Sequence, residues 1–92
     1  MSYPLIFTES YSRRATRFLK KHPELFGVYA KTLRLLELNP NHPTLRLHKL
    51  QGRRHQIYSV SVTYAYRITL SFAIMQGSVV LIDIVTHDDA YD

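Results

Sequence analysis

The apolar residues of this chain repeat with a helical period before Pro40 and with a period of two after Gln56, and that single change sets the fold class. Tyr11, Ala15, Phe18 and Leu19 fall at i, i+4, i+7 and i+8, which makes one stripe on a helix. Arg13, Arg14, Arg17, Lys20 and Lys21 cover the rest of its surface. Thr8 or Ser10 is placed to cap that helix, with Glu9 near its positive end. His22-Pro23 breaks it. A second helix is expected from about Pro23 to Leu38, with Leu25, Tyr29, Thr32, Leu33 and Leu36 as its stripe, and Asn39-Pro40-Asn41-His42-Pro43 stops it.

Strand patterns lie on either side of this helical pair. Tyr3 to Phe7 reads as a short first strand. Gln56 to Val62 alternates, with Tyr58, Val60 and Val62 on one face and Ser59 and Ser61 on the other. Tyr66 to Ile74 alternates more clearly, setting Tyr66, Ile68, Leu70, Phe72 and Ile74 opposite Arg67, Thr69, Ser71 and Ala73. Gln76-Gly77 turns the chain into Ser78 to Val85, which is nearly all apolar, as a central strand would be. The expectation is a single α+β domain over residues 1–92. It has an N-terminal strand, a two-helix hairpin and then a three- to four-stranded antiparallel sheet with both helices on one face. The other face, with Ser59, Ser61, Arg67 and Thr69, is expected to be open, polar and available to a ligand.

Composition narrows the functional classes. With 46% hydrophobic residues the chain can bury one core, and with no cysteine it has neither disulfides nor thiolate metal sites. No apolar run reaches the roughly 18 residues of a membrane span, and Met1 to Phe7 lacks the features of a signal peptide, so a cytoplasmic location is expected. No histidine–acid spacing reads as a metal site, and no cofactor is implied. The formal net charge is +5, and between Leu38 and Ile82 there is no acid at all. That stretch holds Arg46, Lys49, Arg53, Arg54 and Arg67, with His42, His48 and His55 among them. A basic segment of this kind suits a polyanion or an acidic protein partner, although charge alone specifies no function.

Three motifs then stand in order. Leu47-His48-Lys49-Leu50-Gln51-Gly52 resembles the "L-x-K-L-x-G" entry to the sheet of RelE/ParE toxins. Tyr66-Arg67-Ile68 resembles the "Y-R-I/L" strand of that superfamily. Asp83-Ile84-Val85-Thr86-His87-Asp88-Asp89-Ala90-Tyr91 is similar to the "D-I-G-T-H-D-x-x-Y" ending of its RelE/YafQ-like branch. The helix hairpin ending at Asn39-Pro40 agrees, so the resemblance spans essentially the whole chain.

The resemblance implies the toxic half of a type II toxin–antitoxin pair. RelE-like members cleave mRNA in the ribosomal A site without metal, whereas ParE-like members inhibit DNA gyrase without being enzymes. Cleavage by the 2′-OH needs a proton acceptor, a proton donor and positive charge for the pentavalent phosphorus. By resemblance, Arg67 stabilises phosphate charge, His87 transfers a proton, and Tyr91 stacks on a base or assists the transfer. A guanidinium can hold two phosphate oxygens at once, and an unperturbed imidazole titrates near neutrality. His48 or His55 is a candidate second acid–base group, and Lys49, Arg53, Arg54 and Arg46 are candidates for holding the RNA backbone. Asp83 or Asp88 is an alternative partner for Arg67. Ser59 and Ser61 stand nearest to the positions where RelE has strand lysines, a departure that weakens catalysis unless Lys49 and the histidines substitute. A gyrase-inhibiting toxin and a non-toxic relative that only binds antitoxin therefore stay open as alternatives. In the toxin readings the implied partner is an acidic antitoxin, with a hetero-oligomer as the resulting assembly.

Overall fold

The computed structural model describes residues 2–52, 56–73 and 76–90. Strand β1 (Leu5–Phe7) leads into helix α1 (Glu9–Lys21), a single 3-10 turn (Pro23–Leu25) and helix α2 (Phe26–Leu38). A second 3-10 turn (Pro43–Leu45) then precedes β2 (His48–Lys49), β3 (Tyr58–Ser61), β4 (Tyr66–Ala73), β5 (Ser78–Thr86) and a four-residue helix α3 (His87–Ala90).

Thr8 decides where α1 begins. Its hydroxyl accepts from the Tyr11 amide at 3.2 Å, as an N-cap does, and donates to the Leu81 carbonyl of β5 at 3.2 Å. One side chain thus starts the helix and fixes it to the sheet, with Glu9 in the positive first turn. Thr8→Ala is expected to cost about 1 kcal/mol, seen in thermal unfolding as a fall in Tm of about 4–8 °C. An unchanged Tm would show that water replaces both bonds at no cost.

The sheet has the order β1-β5-β4-β3-β2. The β2–β3, β3–β4 and β4–β5 pairs are antiparallel, as short links require. The sheet as a whole differs from the antiparallel expectation. β1 runs parallel to β5, Leu5 opposite Val79 and Phe7 opposite Leu81, so the sheet is mixed and has five strands. Hairpin reasoning applies to strands joined by a turn; the partner of a three-residue strand followed by two helices is set by packing. The β4–β5 register slips by one residue between Thr69, opposite Asp83, and Leu70, opposite Leu81. Gly77 takes φ +62 in the turn before β5, a conformation that a residue with a Cβ adopts only under strain.

The helix-bearing face carries Val60, Ile68, Leu70, Val79 and Leu81, all fully buried, against Tyr11, Ala15, Tyr29 and Leu36. Inside this core the Tyr11 and Tyr29 hydroxyls bond each other at 2.8 Å. Burial pushes both phenols up from their ordinary pKa. The shared bond pushes Tyr11 further and pulls Tyr29 back. The sign follows: both hold their protons to higher pH in the fold than in the unfolded chain, which ionises near pH 10, so their contribution is complete below about pH 10 and is lost as pH rises beyond it. Unfolding stability is expected to fall above that point by about 1.4 kcal/mol per pH unit for each proton that the fold keeps and the unfolded chain loses. The Tyr11→Phe/Tyr29→Phe double variant should remove this alkaline slope and stay close to wild type at pH 7, since both partners leave together. Urea titrations at pH 8 and pH 11 check it, and an identical slope in the double variant would refute it.

The second face is not the open surface expected from the sequence. Ser59, Arg67 and Thr69 are 0%, 5% and 6% exposed. α3 folds back over this side, where Asp89 lines a 190 Å³ cavity with Ile57, Thr69 and Val85, so a third, four-residue helix is added opposite α1 and α2.

Candidate active site

Beyond Ser59 the strand β3 loses its outer neighbour, because β2 pairs only with Tyr58 and Ser59. The Pro43–Leu45 turn and Arg46 run beside that edge instead. Between them, α2 and the start of β4 lies a cavity of about 370 Å³. Its α2 wall is Val28, Lys31, Thr32 and Leu35; Thr44, Leu45 and Arg46 form a second side. Ser61 to Tyr64, Arg67 and His87 close it.

Arg67 enters this space from β4 across the side chain of its neighbour. Its Nε donates to Ser59 Oγ at 2.8 Å, and Nη2 donates to the carbonyls of Arg46 at 2.9 Å and Ser59 at 3.3 Å. The side chain therefore ties β4 over β3 to the chain leading into β2. Arg46, which receives this bond, has left-handed backbone with φ 51 at the end of the Pro43–Leu45 turn. That turn is itself fixed by His42, whose Nδ1 accepts from the Thr44 amide at 3.2 Å.

His87 is held from the other direction. It is the first residue of α3, and its amide donates to the Ala65 carbonyl at 2.7 Å. Its ring lies parallel to that of Tyr64, with 5.9 Å between centroids and 3° between planes. Nδ1 is 3.7 Å from the Asp88 carboxylate, and the side chain is 44% exposed. A guanidinium and an imidazole thus border one space from two anchored positions, an arrangement that can hold an anion and move a proton beside it.

No protein-family model and no curated protein matches the chain. Solved structures do. The archaeal RelE-RelB complex from Pyrococcus horikoshii matches with a TM-score of 0.70 and 17% identity, over 94% of this chain and 96% of that one. A YoeB/ParE toxin from Agrobacterium tumefaciens gives a TM-score of 0.70 and 15% identity, over 91% and 98%. A metal-bound toxin from Helicobacter pylori gives 0.68 and 11%, over 95% and 97%. The fold is that of the RelE/ParE toxins. At these identities the likeness carries architecture, and what a RelE/ParE-like domain does here has to come from its own side chains.

Within this RelE/ParE-like frame the motifs divide by face. Tyr66 turns to the helices: its ring meets Phe18 at 4.8 Å, and its hydroxyl lies 3.3 Å from His22 Nε2. Arg67, the next residue, takes the opposite face. His48 sits opposite Ser59 and shares Arg67's face, whereas Lys49 sits opposite Tyr58 and belongs to the helix-bearing face. Neither lines the cavity, and Arg46 does. Asp83, a partner considered for Arg67, instead meets Arg14 of α1 at 3.2 Å. Arg53, Arg54, His55 and Tyr91 lie outside the described residues.

Lys31 and Tyr64 also line the cavity and were not among the candidates read from the sequence. Lys31 lies on the polar side of α2, where any lysine looks like solvated surface. Tyr64 carried a usable signal: an aromatic in the turn between β3 and β4 has no core to enter, and it is 92% exposed.

Proposed function

We propose that this protein is the toxin of a toxin–antitoxin pair and acts as an endoribonuclease on mRNA in the ribosomal A site. The observation that carries the reading is that Arg67 and His87 line one cavity, with Lys31 and Arg46 on the same walls. The scissile phosphate rests against this cationic lining. His87 accepts the proton of the 2′-OH, and O2′ attacks phosphorus. The P–O5′ bond breaks, leaving a 2′,3′-cyclic phosphate, and the departing 5′ oxygen takes up a proton. Arg67 meets the charge that builds on the phosphoryl oxygens, from a position set before the substrate arrives. Tyr91 assists from the C-terminus, and His48 or His55 supplies the second proton carrier. Lys49, Arg53 and Arg54 contact the flanking RNA backbone. The cognate antitoxin is an acidic protein that masks this charge.

Primer extension on a reporter mRNA after induction tests the proposal. New 5′ ends are expected with the wild type and not with His87→Ala. Growth arrest without new ends, together with loss of supercoiling by purified gyrase, would instead identify a gyrase inhibitor. Unimpaired growth on induction without antitoxin would identify a relative that only binds antitoxin.

A further inference from the structure

We propose that Tyr64 is a stacking platform for a base of single-stranded RNA, set beside His87 at the mouth of the Arg67 cavity. The inference rests on the nuclease reading for its ligand, and it assigns a residue that reading does not use. Among the described tyrosines Tyr64 stands apart. Tyr11 and Tyr29 are buried against each other, Tyr58 and Tyr66 pack on Phe72 and Phe18, and Tyr3 is 38% exposed. Tyr64 is 92% exposed. An aromatic ring left this open contributes nothing to the core, yet the turn that carries it is fixed. Ser61 Oγ donates to the Thr63 carbonyl at 3.1 Å, the Ala65 amide donates to Thr63 Oγ1 at 3.2 Å, and the His87 amide donates to the Ala65 carbonyl at 2.7 Å. The turn is therefore bonded on both sides of Tyr64 while the ring itself stays in water.

The ring has the geometry of a platform. It is parallel to the His87 imidazole within 3° at 5.9 Å between centroids, and at 92% exposure most of its surface is open to a third ring. Arg67 borders the same cavity, which puts a cation within reach of the phosphate attached to a stacked base. A base fits this setting better than a protein side chain does. Hot spots of protein interfaces sit inside apolar surroundings that exclude water, whereas Tyr64 is flanked by Thr63, Ala65 and His87. Stacking on nucleic acid needs only a π face with positive charge nearby, and it tolerates any base.

The test uses ribosomes programmed with an mRNA whose A-site codon carries 2-aminopurine and 2′-O-methyl riboses, so that the message binds and is not cut. Stacking on an aromatic quenches 2-aminopurine fluorescence. Wild type, Tyr64→Phe and Tyr64→Trp are expected to quench and to saturate at similar concentrations. Tyr64→Ala and Tyr64→Leu are expected to lose the quench and to need about ten-fold more protein. All five should melt alike, because the side chain is exposed. Unchanged binding and quench in Tyr64→Ala, or leucine performing as well as phenylalanine, overturns the proposal. Cleavage of the unmodified message is read in parallel. If wild type cleaves it and Tyr64→Ala binds normally, only the stacking role falls. If wild type does not cleave, the nuclease reading falls and the stacking role falls with it.

Discussion

His87→Ala is expected to lower the rate of mRNA cleavage by about 10²–10⁴-fold, the usual contribution of a positioned acid–base group. It should leave unfolding close to wild type. The imidazole is 44% exposed, its ring contact is with the almost fully exposed Tyr64, and its neighbour Asp88 is 99% exposed at the side chain. An ion pair so placed contributes little to stability. The bond that matters locally, from the His87 amide to the Ala65 carbonyl, is made by the backbone and survives the substitution. Single-turnover cleavage on programmed ribosomes measures the rate, and urea unfolding measures stability. A variant that cuts at the wild-type rate removes His87 from the mechanism.

The second large effect concerns Arg67 and falls on stability as well as on rate. Arg67→Ala is expected to lose about 2–4 kcal/mol, since it deletes charged-donor hydrogen bonds to Ser59 Oγ and to the Ser59 and Arg46 carbonyls and opens space where the residue is 5% exposed. That is a large part of the 5–15 kcal/mol typical of a domain. The released carbonyl belongs to Arg46, so the chain entering β2 should loosen, and hydrogen exchange in β2 and at Leu50 should rise with it. Arg67→Lys keeps the charge but lacks the fork that reaches Ser59 and Arg46 together, so it should lose most of the stability too. A rate loss in Arg67→Ala that disappears once the assay is run well below its Tm would assign Arg67 a purely structural part. A loss that persists assigns it to the phosphate.

The sequence made the backbone plan legible. The stripes of the two helices, the stop at Asn39-Pro40, the alternation in Tyr58–Ser61 and Tyr66–Ala73 and the turn at Gly77 all rest on interactions between residues close along the chain. The alternation also put Arg67 and Tyr66 on opposite faces, which holds.

What the sequence did not show needed residues far apart along the chain. That β1 lies parallel to β5 depends on contacts about 74 positions apart, such as Leu5 with Val79, and no local pattern encodes them. The polar face was expected to be open because serine, threonine and arginine prefer water. In the fold Arg67 donates to Ser59, Thr69 donates to the Asp83 carbonyl and α3 lies above them, so polarity and burial coexist without an unpaired group among the described residues. The residue types of the site, Arg67 and His87, were written in the chain. Their meeting at one cavity was decided by β2 ending early, by the slip in the β4–β5 register and by the turn that presents Tyr64, because a side chain's neighbours across a sheet are fixed by pairing and not by its own sequence.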